Sequence, residues 1–187
     1  AEGRAVQTLG RPLGLVFASH FQLIAAATSG ALLAFSFPRY GHGAIALVAL
    51  VPLLVALSGW QGRPDHYPGV PARRGFGLGL LAGFVHFAGT VYWTGATVQT
   101  FGGLPWPVAV FVTALLVLYM ATFVGAVGAL TGLFVSRLGV AGVLLAPAAW
   151  TAFEYLRGHL FGGFPWIPLG NSMVGLLPVA QLASLVG

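Results

Sequence analysis

The sequence predicts an all-α fold, a polytopic bundle of transmembrane helices, and three observations predict it. Of the 187 residues, 58% are hydrophobic and 6% are charged, where a soluble domain carries about a quarter charged residues. The mean hydropathy is +0.92. The apolar residues are gathered into runs long enough to cross a bilayer, which takes ~20 of them in a helix. So few charges cannot solvate a globular surface, and lipid is the solvent this composition fits.

Five runs qualify as spans of a single helical domain. The first covers about 14–36 and contains LIAAATSGALLAFSF. The polar residues 1–12 before it carry Arg4 and Arg11, and no small-residue cleavage site follows them, so an uncleaved first span is expected rather than a removed signal peptide. The second run is 43–60 and the third 75–97. The fourth, 107–135, is long enough to tilt, and the fifth is 139–156. A sixth apolar stretch, 172–187, is short and interrupted by Pro178. It fits a half-helix, an interfacial segment or the start of a further span.

The connectors are short and rich in turn formers: 37–43, 61–74, 99–107, 136–139 and 157–171. The formal charge of +5 comes from eight arginines against Glu2, Asp65 and Glu154, with no lysine. The arginines stand singly or in one pair at the ends of apolar runs. No basic helix face forms, which argues against nucleic acid as a partner. Arg4, Arg11, Arg63, Arg73, Arg74 and Arg137 fall on one side of the expected bundle, Arg39 and Arg157 on the other. The positive-inside rule then puts the N-terminus in the cytoplasm and the connectors 37–43, 99–107 and 157–171 outside. These outward connectors carry Tyr40, Phe101, Trp106, Phe161, Phe164 and Trp166, residue types that favour the headgroup level. Small residues recur four apart, as Gly75, Gly79 and Gly83 on the third run and Ala121, Gly125 and Ala129 on the fourth. Such faces let helix backbones approach closely in lipid.

Few residues are candidates for chemistry. The chain has no cysteine, so disulfides, thiolate nucleophiles and cysteine-ligated metals have no place in it. The five histidines include no pair at helical spacing, which argues against a metal site, and no cofactor is implied. Glu154 is the one acid inside an apolar run. Arg157 shares its helix face three residues on, and Trp150 lies one turn before. An ionisable group at membrane depth points to function. The reading favoured here is an ion pair near the outer interface that orders the next loop. In that loop, Gly162 and Gly163 allow unusual backbone angles and Pro165 fixes its own. Phe164 and Trp166 would project from a rigid turn, either as an aromatic lip where a lipid enters or as an interfacial anchor. His86, mid-run, is expected to hydrogen-bond a neighbouring helix. His66 beside Asp65 reads as a solvated turn. The glycines at 75, 77 and 79 follow no strand and make no phosphate loop. A lone buried acid also fits an ion or proton transporter poorly.

Several segments together carry a resemblance. They are Leu33-Ala-Phe-Ser-Phe-Pro38, GFVHFAGTVYW from Gly83 to Trp93, Phe101-Gly-Gly-Leu-Pro105, Ala146-Pro-Ala-Ala-Trp150, Glu154-Tyr-Leu-Arg157-Gly158, Gly163-Phe164-Pro165-Trp166, Leu169-Gly-Asn-Ser172, and Leu182-Ala183 through Gly187. In order and spacing, over about residues 25–187, they resemble the membrane domain of apolipoprotein N-acyltransferase. The resemblance implies a helical bundle of the bacterial inner membrane whose outward loops surround a lipid-accessible cavity. It implies a ping-pong transfer in which a phospholipid acyl chain passes to a cysteine and then to the N-terminal amine of a diacylglyceryl lipoprotein. The family's Glu-Lys-Cys triad belongs to a nitrilase-like domain following the helices. With no Cys or Lys in this chain, no catalytic residue is assigned to it. Phe164, Pro165, Trp166 and Gly163 match the family's loop at the lipid entrance, and Glu154, Arg157 and Trp150 its structural support. The expected function is the lipid- and acyl-chain-binding membrane portion of such an enzyme. The alternative is a non-catalytic lipid-binding scaffold subunit of a larger membrane complex.

Overall fold

The computed structural model describes residues 2–37, 40–60 and 66–186, with side chains from 19 to 182 of these. Pro38 and Arg39 of the connector 37–43, Arg63 and Asp65 of the connector 61–74, and Gly187 lie outside the described residues, as do the side chains of Arg4 and Arg11. Among the described residues every regular element is helical.

The helices follow the apolar runs but break where backbone chemistry demands it. Helix α1 is Glu2–Ser36, which starts well before the expected 14. Its polar first turns carry helix formers such as Glu2, Ala5 and Gln7, and polarity does not bar helix. The second run is not one helix. A 3₁₀ turn at Gly43–Ile45 leads to α2, Ala46–Ala49, and α3, Val51–Leu57. Pro52 has no N–H to give the Val48 carbonyl, and the ladder is interrupted there. The third run divides at Tyr92 into α4, Ala72–Val91, and α5, Trp93–Gly102, bent by 51°. Helix α6 is Trp106–Leu138. The fifth run starts as a 3₁₀ segment, Gly139–Leu145, and continues as α7, Ala146–His159. The sixth stretch holds a 3₁₀ segment, Leu169–Met173, and α8, Leu177–Val186.

Contacts fix the helix directions. Phe21 meets Trp60, and the Ser29 hydroxyl accepts the Leu53 N–H at 2.8 Å, so α1 and α3 are antiparallel. Arg74 reaches Gln22 and Ser19, and Gly89 faces Ala34, so α1 and α4 are parallel. Helices α4 and α6 are antiparallel along a seam where Gly75 faces Gly128, Gly79 faces Val124 and Gly125, and Gly83 faces Ala121. A Cβ on Gly75 or Gly79 would stand on a backbone carbonyl of α6. At Gly139, with φ +64°, the chain turns back. Gly142 then lies against Phe134, and Trp150 packs beside Val127. The core runs along this bundle through Leu33, Phe87, Val91, Val117, Met120 and Val124.

Among the described residues, one helix long and apolar enough to cross a membrane lies within Trp106–Gly162, and α4 with α5 reaches that mark across their bend. Gly43–Leu57 is apolar but shorter. Helix length and composition alone thus give one clear span rather than the five expected.

Candidate functional site

The expected lip residues lie between α7 and the 3₁₀ segment at Leu169. Helix α7 ends at His159, whose ring stacks on Tyr155 at 4.2 Å. The chain then makes four left-handed steps, at Phe161, Gly162, Gly163 and Ile167. Phe161 and Ile167 are the only non-glycine residues at positive φ among those described. Such angles persist only where surrounding structure enforces them. Gly163, with φ +78°, has no alternative, because a Cβ there would strike the Gly158 carbonyl.

What enforces the loop is Arg157. This residue is 2% exposed, and its guanidinium lies 5.3 Å from the centre of the Phe87 ring, a cation–π geometry. Its Nη1 donates to the Trp166 carbonyl at 2.7 Å and reaches the Phe164 carbonyl at 3.5 Å. The Phe164 N–H in turn donates to the Arg157 carbonyl at 3.1 Å. A loop whose carbonyls point inward needs such a donor, because an unpaired buried carbonyl costs about 1–3 kcal/mol. Glu154 completes the strap. Its Oε1 accepts the Leu169 N–H at 2.8 Å, while its distance to Arg157 Nη2 is 4.0 Å. The acid is thus first a backbone acceptor and only at the limit a partner in an ion pair. Trp150 is buried at 8% in the core below.

The aromatic residues divide. Phe164 does not project outward: it is half-buried and packs against the core, its ring stacked on Trp166 at 5.9 Å. Trp166 is 51% exposed and meets Trp93, at the start of α5, at 5.4 Å. Phe161 is 89% exposed, and the Tyr119 hydroxyl of α6 donates to the adjacent Leu160 carbonyl at 3.3 Å. Trp93, Phe87 and Tyr119 did not stand out in the sequence as partners of this loop, because they lie on other helices at distances only the fold sets. His86 departs from expectation too. It is buried between the rings of Phe37 and Phe87, and its Nδ1 has no hydrogen-bond partner among the described residues. His66 is exposed.

Fold and site together define an all-helical bundle domain with one long apolar helical stretch and a loop strapped from within by a buried arginine. The chain belongs to the apolipoprotein N-acyltransferase family: the family model described as the apolipoprotein N-acyltransferase N-terminal domain matches residues 29–187. It is 38% identical over 162 residues to the apolipoprotein N-acyltransferase of Geobacter metallireducens, covering 87% of this chain and 29% of that protein. It is 35% identical over 176 residues to the enzyme of that name from Shewanella oneidensis, covering 90% and 31%. The corresponding protein of Vibrio parahaemolyticus is 30% identical over 176 residues, covering 94% and 33%. The chain thus spans about three-tenths of the length of these relatives.

Proposed function

We propose that this chain is the membrane-embedded, lipid-handling portion of an apolipoprotein N-acyltransferase. It crosses the bacterial inner membrane five times with its N-terminus in the cytoplasm. The helix directions support that reading: α1, α4 and α7 run one way, α3 and α6 the other. This alternation brings the connectors at 37–43 and 157–171 to one end, where Gly43 faces Ser172. At that end Gly163, Phe164, Pro165 and Trp166 form the entrance for a phospholipid acyl donor and for the lipid-modified end of a lipoprotein. Glu154 and Arg157 hold the entrance, and Trp150 supports it from the core. Acyl transfer itself uses residues other than those of this chain.

The observation that carries the proposal is the Arg157 strap. A buried cation holds the Phe164 and Trp166 carbonyls of a strained loop and leaves one large aromatic, Trp166, half exposed against Trp93. A structural anchor needs no such positioning, whereas an acyl chain entering from the bilayer needs a fixed apolar edge to pack on. The test is Trp166→Ala in the full-length enzyme. We expect the rate of acyl transfer from phospholipid to lipoprotein to fall about tenfold, a loss of ~1.4 kcal/mol in transition-state stabilisation, with the melting temperature little changed. An unaltered rate would remove the entrance role.

A further inference from the structure

Helices α3 and α7 both pack on α6 but stand apart from each other, and the gap between them is a long apolar cleft. Its upper part, a cavity of about 570 Å³, has Leu50 and Leu54 on one wall, Pro147 and Trp150 on the other, and Val127 of α6 as its floor. Its lower part, about 660 Å³, is bounded by Val51, Leu54 and Val55 across from Val140 and Val143. Leu54 lines both parts, so the two cavities adjoin there. Along α2 and α3 the cleft runs for ~15–20 Å at ~1.5 Å per residue, about the ~15 Å depth of one leaflet of a ~30 Å hydrocarbon core.

The walls tell what fits. At the α4–α6 seam glycine and alanine line the contact and let two backbones approach closely. Leucine and valine line the cleft, an uneven apolar surface on which a flexible hydrocarbon chain can pack. Its lower end is closed by Trp60 and Tyr67, residue types that sit at the headgroup level. Trp60 is braced there by Phe21, with ring centres 5.8 Å apart. The same end of the bundle carries Arg73 and Arg137, both exposed, and Arg137 lies three residues before Val140 on the cleft wall.

We infer that the α3–α7 cleft binds an acyl chain of an anionic phospholipid from the leaflet at the arginine-bearing end, with its headgroup beside Trp60, Tyr67 and Arg137. The headgroup end of this site lies at the opposite end of the bundle from the Trp166 loop, while its upper cavity reaches Glu154 and Leu169 beneath that loop. It requires that the bundle sit in a bilayer and does not depend on any substrate role of that loop.

The test uses the full-length protein in lipid nanodiscs containing phosphatidylglycerol or phosphatidylcholine with a photoactivatable diazirine in one acyl chain. Adducts are mapped by peptide mass spectrometry. Phosphatidylglycerol adducts should be at least fivefold denser on 51–60 and 140–147 than on the exposed α6 surface from Phe111 to Leu118. Phosphatidylcholine should label the cleft more weakly. Leu54→Trp, which fills the junction of the two cavities, should remove the excess, and Arg137→Gln should lower phosphatidylglycerol labelling to the phosphatidylcholine level. Cleft labelling no denser than that of α6, equal labelling by both lipids, or a cleft shielded by another helix would each overturn the assignment. The wild-type map decides even if Leu54→Trp fails to fold. Acyl transfer by the same preparation reports separately on the Trp166 reading.

Discussion

Two regions of this molecule solve the same problem by opposite means. At the α4–α6 seam two helices approach because side chains are missing: Gly75, Gly79 and Gly83 meet Gly128, Gly125 and Ala121. At the loop after α7 the chain is held because a side chain is present: Arg157 occupies the space under the loop and satisfies its carbonyls. In lipid, apolar burial supplies little force between helices, so close packing and polar satisfaction are what remain. The seam uses the first and resists any added atom. The loop uses the second and resists the loss of a donor.

Four substitutions probe that contrast. Gly79→Leu should have the largest effect, because its side chain would meet the α6 backbone at Val124. Overpacking of this kind costs about 3 kcal/mol or more, and thermal unfolding in detergent should show a lower midpoint or no folded protein. Arg157→Met keeps the volume and removes the donors, leaving the Trp166 and Phe164 carbonyls unpaired. A loss of about 2–3 kcal/mol is expected, read as faster limited proteolysis within 157–171 while the α4–α6 seam stays closed. Glu154→Leu removes the acceptor for the Leu169 N–H and should cost about 1–2 kcal/mol, with the same proteolytic signature. Glu154→Gln should be the mildest, roughly 0.5 kcal/mol, since an amide oxygen still accepts that N–H. Should Gln prove as damaging as Leu, the ion pair with Arg157 would matter more than its 4.0 Å length suggests.

The seam was legible in the sequence and the strap only partly so. Glycine and alanine four apart state a helix contact directly, because spacing alone puts them on one face. Likewise the apolar runs locate α4, α6 and α7. The breaks within runs were harder to read. Pro52 and Pro147 are visible but do not say whether a helix kinks or ends, and the bend at Tyr92 has no proline or glycine at the break. For the loop, the glycines and Pro165 mark an unusual turn, and Glu154 with Arg157 mark a shared helix face. That the acid serves the Leu169 N–H, and that Phe164 turns inward while Trp166 stays out, depends on contacts across the fold with Phe87 and Trp93. No local pattern encodes those.

The inward strap also bears on the thermodynamics of any encounter at this end of the bundle. Ordering one residue of a free loop costs ~1–2 kcal/mol in conformational entropy. Here that cost is met within the fold, because Arg157 fixes the backbone at Phe164 and Trp166 through its own hydrogen bonds. A visitor therefore finds Trp166 already in place and loses only its own freedom on arrival. Association at such a rim should be governed by the visitor's flexibility, so that stiffening the incoming chain would tighten binding while stiffening the loop further would change little.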